Sequence, residues 1–133
     1  MSENDLIGVI FQLRDNINFL WNFYVTGCGF LIGWLFSGNI RWSRQTWAVI
    51  SMFFCIFVII NANALHTEYL LLELALTDLK SHTALSASFV PQLADTKGLG
   101  ATGAYIIHLI ADVFLLWLLR HRFIVSLKNQ TTM

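Results

Sequence analysis

Long apolar runs separated by short polar intervals set the pattern of this chain. Three runs stand out: residues 19–36 (FLWNFYVTGCGFLIGWLF), 47–65 (WAVISMFFCIFVIINANAL) and 101–119 (ATGAYIIHLIADVFLLWLL). Each comes close to the ~20 residues a helix needs to cross ~30 Å of hydrocarbon. Lipid offers no hydrogen bonds to a backbone, and a helix satisfies its own polar groups within one segment. The pattern therefore predicts an all-α integral membrane bundle of three transmembrane helices, forming one membrane domain over 1–133.

The apolar periodicity does not stop at the membrane. NDLIGVIFQLRDNINF precedes the first span and HTEYLLLELALTDLK follows the second, and both suit a helix. Ser2 or Asn4 can cap the first, with acids in its opening turn. The first helix is expected from about Asn4 to Phe36 and the second from about Arg44 to Lys80, both running beyond the outer membrane face. Leu70, Leu71, Leu72, Leu74, Leu76 and Leu79 then need cover. The favoured cover is Leu6, Ile7, Ile10, Phe11 and Leu13 of the N-terminal arm; the alternative is the membrane surface. Pro91, Gly98, Gly100 and Gly103 interrupt or loosen helix on the way back to the bilayer. ALSASFVPQL, within that return, reads as a short surface helix or a shallow re-entrant piece.

Charge sharpens this picture. Only 12% of residues are charged and 56% are hydrophobic, whereas soluble domains carry about 25% charged residues. Five of the eight Lys and Arg residues, Arg41, Arg44, Arg120, Arg122 and Lys128, lie in the loop 37–46 or the tail 120–133, where no acid occurs. The positive-inside rule makes that loop and tail cytoplasmic and the segment 66–100 extracytoplasmic. The expected setting is a multi-pass protein, of bacterial inner-membrane type, with its N-terminus out and its C-terminus cytoplasmic. Trp34, Trp42, Trp47 and Trp117 fall near the inner interface, and Trp21, Tyr69 and Tyr105 near the outer one, as in an aromatic belt. The opening MSEND lacks the basic stretch of a cleavable signal, so the first span is expected to be retained as an anchor.

Span one carries a stripe of small and polar residues. Asp15, Asn18, Asn22, Thr26, Gly29, Gly33 and Ser37 recur every three or four positions and share one helix face. Gly29, Gly33 and Ser37 form the small-xxx-small pattern that lets helix backbones approach closely in lipid. Packing within the subunit, self-association and pore lining all suit such a face. If the first two helices form a hairpin turning near residue 41, residue i lies level with about residue 82 − i. Asn18 and Asn22 then sit level with Asn63 and Asn61, a polar layer joined by His66 near the outer end. Cys28 falls level with Cys55; both read as small apolar fillers.

Span three holds the strongest anomaly. Tyr105, His108 and Asp112 follow at i, i+3 and i+7 on one face, and His108 and Asp112 form an i, i+4 pair. An ionised carboxylate near the bilayer centre costs roughly 2.5–3.5 kcal/mol on insertion scales, so Asp112 must face protein or water. One reading is structural: a carboxyl paired with His108 and bonded to a hydroxyl such as Thr26 or Ser51. Another is an ion or proton pathway through Asp112, His108, Tyr105 and Thr26. A metal site with His66 as a further ligand is the weakest, because no ligand-dense motif occurs.

Phosphate loops, nucleophile elbows and paired CxxC motifs are missing from the sequence, and no basic run suits nucleic acid. Arg120, His121 and Arg122 read as an anchor near anionic lipid. No cofactor, metal or independent enzymatic activity is expected. The expected function is a small polytopic membrane protein that self-assembles, with an ion- or proton-handling role at the His–Asp pair. The alternative is a non-catalytic accessory or interaction subunit of a larger membrane complex.

Overall fold

A computed structural model describes residues 2–37, 42–81 and 100–131. They form three long helices: α1 (Glu3–Phe36), α2 (Arg44–Ser81) and α3 (Gly100–Thr131). All three are long and apolar enough to cross a membrane. At about 1.5 Å per residue, the 34 residues of α1 and the 38 of α2 reach roughly 50 Å or more. Both therefore outrun the hydrocarbon. The expectations placed on 82–99, including Pro91 and the ALSASFVPQL piece, lie outside the described residues. Gly103 does not loosen the chain; it lies inside α3.

The helix ends have identifiable causes. Ser2 accepts from the Asp5 backbone N–H at 3.2 Å, and the Asp5 carboxylate accepts from the Ser2 backbone N–H at 3.0 Å. This reciprocal box satisfies two donors that α1 would otherwise leave bare. The start of α3 is capped from another helix: Glu73 Oε1, on α2, accepts from the Ala101 backbone N–H at 2.8 Å. Gly100 just before it adopts φ +63°, a left-handed conformation that favours glycine, and a Cβ there would stand 3.0 Å from that same oxygen and press on the cap. Arg122, on α3, donates from Nη2 to the Leu35 carbonyl in the last turn of α1 at 3.2 Å. Its guanidinium lies 4.6 Å from the centre of the Phe36 ring. A cation is favoured at that helix end. Arg122 thus ties α3 to the end of α1.

α2 packs along both neighbours, whereas α1 and α3 approach each other at few positions. The α1–α2 register follows from Asn61 Nδ2 donating to the Leu20 carbonyl at 3.3 Å and Trp21 Nε1 donating to Tyr69 Oη at 3.2 Å. Leu20 with Asn61 comes within one residue of the spacing expected for a hairpin; Trp21 with Tyr69 departs by eight, the reach of two long side chains. The α2–α3 register follows from Glu73 with Ala101, Asn61 with His108, and stacked Trp47 and Phe123 rings 5.6 Å apart.

Two apolar clusters result. Beyond the membrane, Leu6, Ile10 and Leu13 of α1 meet Ala75 and Leu79 of α2, with Ile7, Leu72 and Leu76 against them. There water is the solvent, and fully burying Ile10 or Leu79 is worth about 1.5–3 kcal/mol each. The arm thus covers Leu72, Leu76 and Leu79, while Leu70, Leu71, Leu74 and Phe11 remain exposed. The second cluster runs through the membrane from Tyr24 and Cys28 to Leu35, Phe54, Leu115 and Leu119. Trp42 is buried at its end and Trp47 is half-buried, so these two indoles belong to the core; Trp34 and Trp117 stay exposed. Outward-facing Phe19, Phe30, Ile60, Ile110 and Val113 present an apolar surface suited to acyl chains.

Candidate functional site: a buried polar chain across three helices

Four side chains and one carbonyl link all three helices within their apolar spans. Tyr24 Oη, on α1, donates to Asp112 Oδ1 at 2.6 Å. Asp112 Oδ2 meets His108 Nδ1 at 2.7 Å within α3. His108 Nε2 meets Asn61 Oδ1, on α2, at 2.9 Å. Asn61 Nδ2 closes the chain on the Leu20 carbonyl of α1. Tyr24, Asn61, His108 and Asp112 are each no more than 5% exposed. The Tyr24 ring lies 4.0 Å, centre to centre, from the imidazole, and the Trp21 ring lies 5.9 Å from it. Asp112 and Asn61 thus meet protein, as hydrocarbon requires of them.

The chain of bonds fixes where its protons sit. The Leu20 carbonyl can only accept, so the Asn61 amide must turn its NH₂ there and its oxygen to His108. Nε2 of His108 therefore carries a proton. One further proton is shared between Nδ1 and Asp112 Oδ2. Whether it rests on nitrogen or oxygen, the pair has zero net charge. A neutral pair with every polar group bonded avoids the desolvation penalty of a lone buried charge. Low surrounding polarity then strengthens each bond in the chain.

A cleft of about 140 Å³ opens beside this chain, between α2 and α3. Val58, Ile59, Ala62 and Asn63 line one wall; Tyr105, Leu109, His108 and Asp112 line the other. His66 stands edge-on to the Tyr105 ring at 5.9 Å, one turn nearer the end of the membrane at which α1 begins. A larger groove of about 450 Å³ between α1 and α2 has Phe30, Trp34, Val49, Phe53 and Phe57 along it and little polar character.

Several residues singled out by sequence fall elsewhere. Thr26 is exposed and turned away, so the hydroxyl on Asp112 is that of Tyr24. Ser51 is also not its partner; its Oγ is buried with no hydrogen-bond partner among the described residues. The expected amide layer does not form: Asn18, Asn22 and Asn63 are exposed, and Asn61 alone is buried, bonded to His108 and a carbonyl. His66 is exposed, and the described residues contain no cluster of three metal-ligating side chains. The α1 stripe faces outward. A Cβ at Gly29 or Gly33 would meet nothing within 4 Å among the described residues, and the Ser37 hydroxyl bonds the Trp34 carbonyl of its own helix at 2.7 Å. Packing within the subunit relies on Gly27, where a Cβ would meet Phe57 Cζ at 2.9 Å. The stripe is offset because Tyr24 and Cys28 occupy the inward face. Cys28 and Cys55 are free thiols.

Fold and site together define a multi-pass α-helical membrane protein whose helices are joined by a buried Tyr–Asp–His–Asn chain. The sequence matches no family model, no curated protein and no solved structure.

Proposed function

We propose that this protein takes up and releases a proton at the His108–Asp112 pair, as a non-catalytic, self-assembling component of the membrane. The observation that carries the reading is the buried 2.7 Å contact between His108 Nδ1 and Asp112 Oδ2, beside a cleft that Asn63 and Tyr105 help to line. Histidine beside a membrane-embedded carboxylate is the usual material of a proton relay. Outward placement of Asn18, Asn22, Thr26, Gly29 and Gly33 supports self-assembly, since close helix contact and amide bonding suit these residues better than lipid does. The orientation proposed is N-terminus outside and C-terminus in the cytoplasm, from the basic residues of the loop and tail.

The test is proton uptake by purified protein in liposomes under an imposed pH gradient. Asp112→Asn preserves shape and removes the shared acid. It is expected to abolish uptake while leaving the oligomeric state unchanged. Unaltered uptake contradicts the reading. The exposed Leu70, Leu71 and Leu74 outside the bilayer favour a second reading, docking on a larger membrane partner. Copurification of a stoichiometric second chain from the native membrane, with no proton uptake by either variant, would establish that alternative.

A further inference from the structure

We infer that the cleft between α2 and α3 is a water-filled entrance that reaches His108 and Asp112 from one side of the membrane only, the side at which α1 begins. It deepens the proton-handling reading and rests on it for the entrance's use, but the cleft's wetness and sidedness stand on their own observations.

The cleft has both the room and the polarity for water. Its volume of about 140 Å³ far exceeds the roughly 10–15 Å³ that one molecule needs, and a buried water also needs two to four polar partners. Asn63 and Tyr105 supply such groups on the two walls, and the Asp112 carboxylate, whose oxygens can each accept a second bond, supplies them at the floor. Asn63 and Tyr105 are both exposed, and His66 beside Tyr105 continues the polar line outward.

Two other approaches are closed. Toward α1, the Tyr24 ring covers the imidazole face at 4.0 Å, and Trp21 stands behind it. Toward the α1–α2 turn, Leu115 and Leu119 follow Asp112 by one and two helical turns, buried together with Phe54. That is about 10 Å of apolar packing along α3. Beyond it, Ser51 Oγ and Trp47 Nε1 are enclosed with no hydrogen-bond partner among the described residues. They do not extend the polar line. The groups facing the pair are few. From α1 come the Tyr24 phenol and the Cys28 thiol beside it; from α2 comes the uncharged Asn61 amide.

Thiol labelling of the full-length protein in liposomes tests this directly. Cys28→Ala and Cys55→Ala remove the native thiols. Single cysteines are then placed in the cleft (Ile59→Cys, Asn63→Cys), beyond the apolar packing (Ser51→Cys), and at exposed reference positions on either side (Thr77→Cys, Gln45→Cys). The probe is a charged, membrane-impermeant methanethiosulfonate. The cleft positions are expected to react from the same side as Thr77→Cys. Ser51→Cys is expected to react at least ~100-fold more slowly from either side, as a site reached only by local opening does. Ala62→Phe, which fills the cleft, is expected to abolish reaction at Ile59→Cys. Cleft cysteines inert from both sides would overturn the entrance. Rapid labelling of Ser51→Cys from the Gln45→Cys side would overturn its sidedness. If the labelling pattern holds while Asp112→Asn leaves proton uptake intact, the entrance stands and the proton-handling reading falls.

Discussion

On the inward face of α1, the Tyr24 hydroxyl bonds Asp112 and the missing side chain of Gly27 makes room for the Phe57 ring. Tyr24→Phe removes the donor to Asp112 Oδ1 and leaves the rest of the chain in place. Unfolding in detergent is expected to show a loss of about 1–3 kcal/mol, as for a buried acceptor left without its donor, above the ~0.6 kcal/mol average for interhelical bonds in membranes. Gly27→Ala puts a methyl against Phe57 Cζ and is expected to destabilise by about 1–3 kcal/mol through overpacking. Phe57→Leu in the same chain should restore most of that loss in the same assay. His108 and Asp112 were legible from sequence because ionisable groups in an apolar run demand a partner. Their i, i+4 spacing also survives any placement of neighbouring helices. Tyr24 was not legible. A tyrosine in a span reads as apolar bulk, and its bond to residue 112 depends on how α1 turns about its axis, which GxxxG spacing alone does not fix.

The three helices themselves were the most legible feature. The expected bounds of α1 and α2 fall within one residue of those observed, because the apolar periodicity and Ser2 mark them without reference to the rest of the fold. The extension of α3 to Thr131 was missed, since RHRFIVSLKN reads as a basic tail until Arg122 is seen capping α1 and Phe123 stacking on Trp47. Such caps join elements distant in sequence, as does Glu73 at the start of α3. The local cap at Ser2 carries its own pH dependence. Hydrogen bonds from the Ser2 hydroxyl, and then its backbone N–H, hold the Asp5 carboxyl below the usual range. A folded-state value lowered in this way means the capping contribution is complete above the ordinary Asp value of about 3.9 and is lost as pH falls through the lowered value. Carbon-13 shifts of Glu3 to Ile7 should report fraying of this turn on acidification, and Asp5→Asn should remove the pH dependence.

At the scale of the molecule, an outward stripe of small and polar residues lies beside a core that does not use it. Gly33→Leu on that stripe is expected to leave the unfolding midpoint of the monomer unchanged, since nothing lies within 4 Å. Crosslinking in liposomes should show oligomers reduced, by the loss of a close helix approach. Equal crosslinking would remove the stripe as the seam of assembly. The exposed apolar belt, the covered arm outside the bilayer and the one closed polar chain then describe a bundle held by packing at its ends and by hydrogen bonds at its middle.

Nitrogen-15 spectra of His108 in lipid bilayers read that polar middle most directly. A proton fixed on Nε2 by Asn61, and an Nδ1 signal that Asp112→Asn displaces, is the expected result. An imidazole protonated on Nδ1 alone, with a bare Nε2 and no response to Asp112→Asn, would contradict the shared-proton chain.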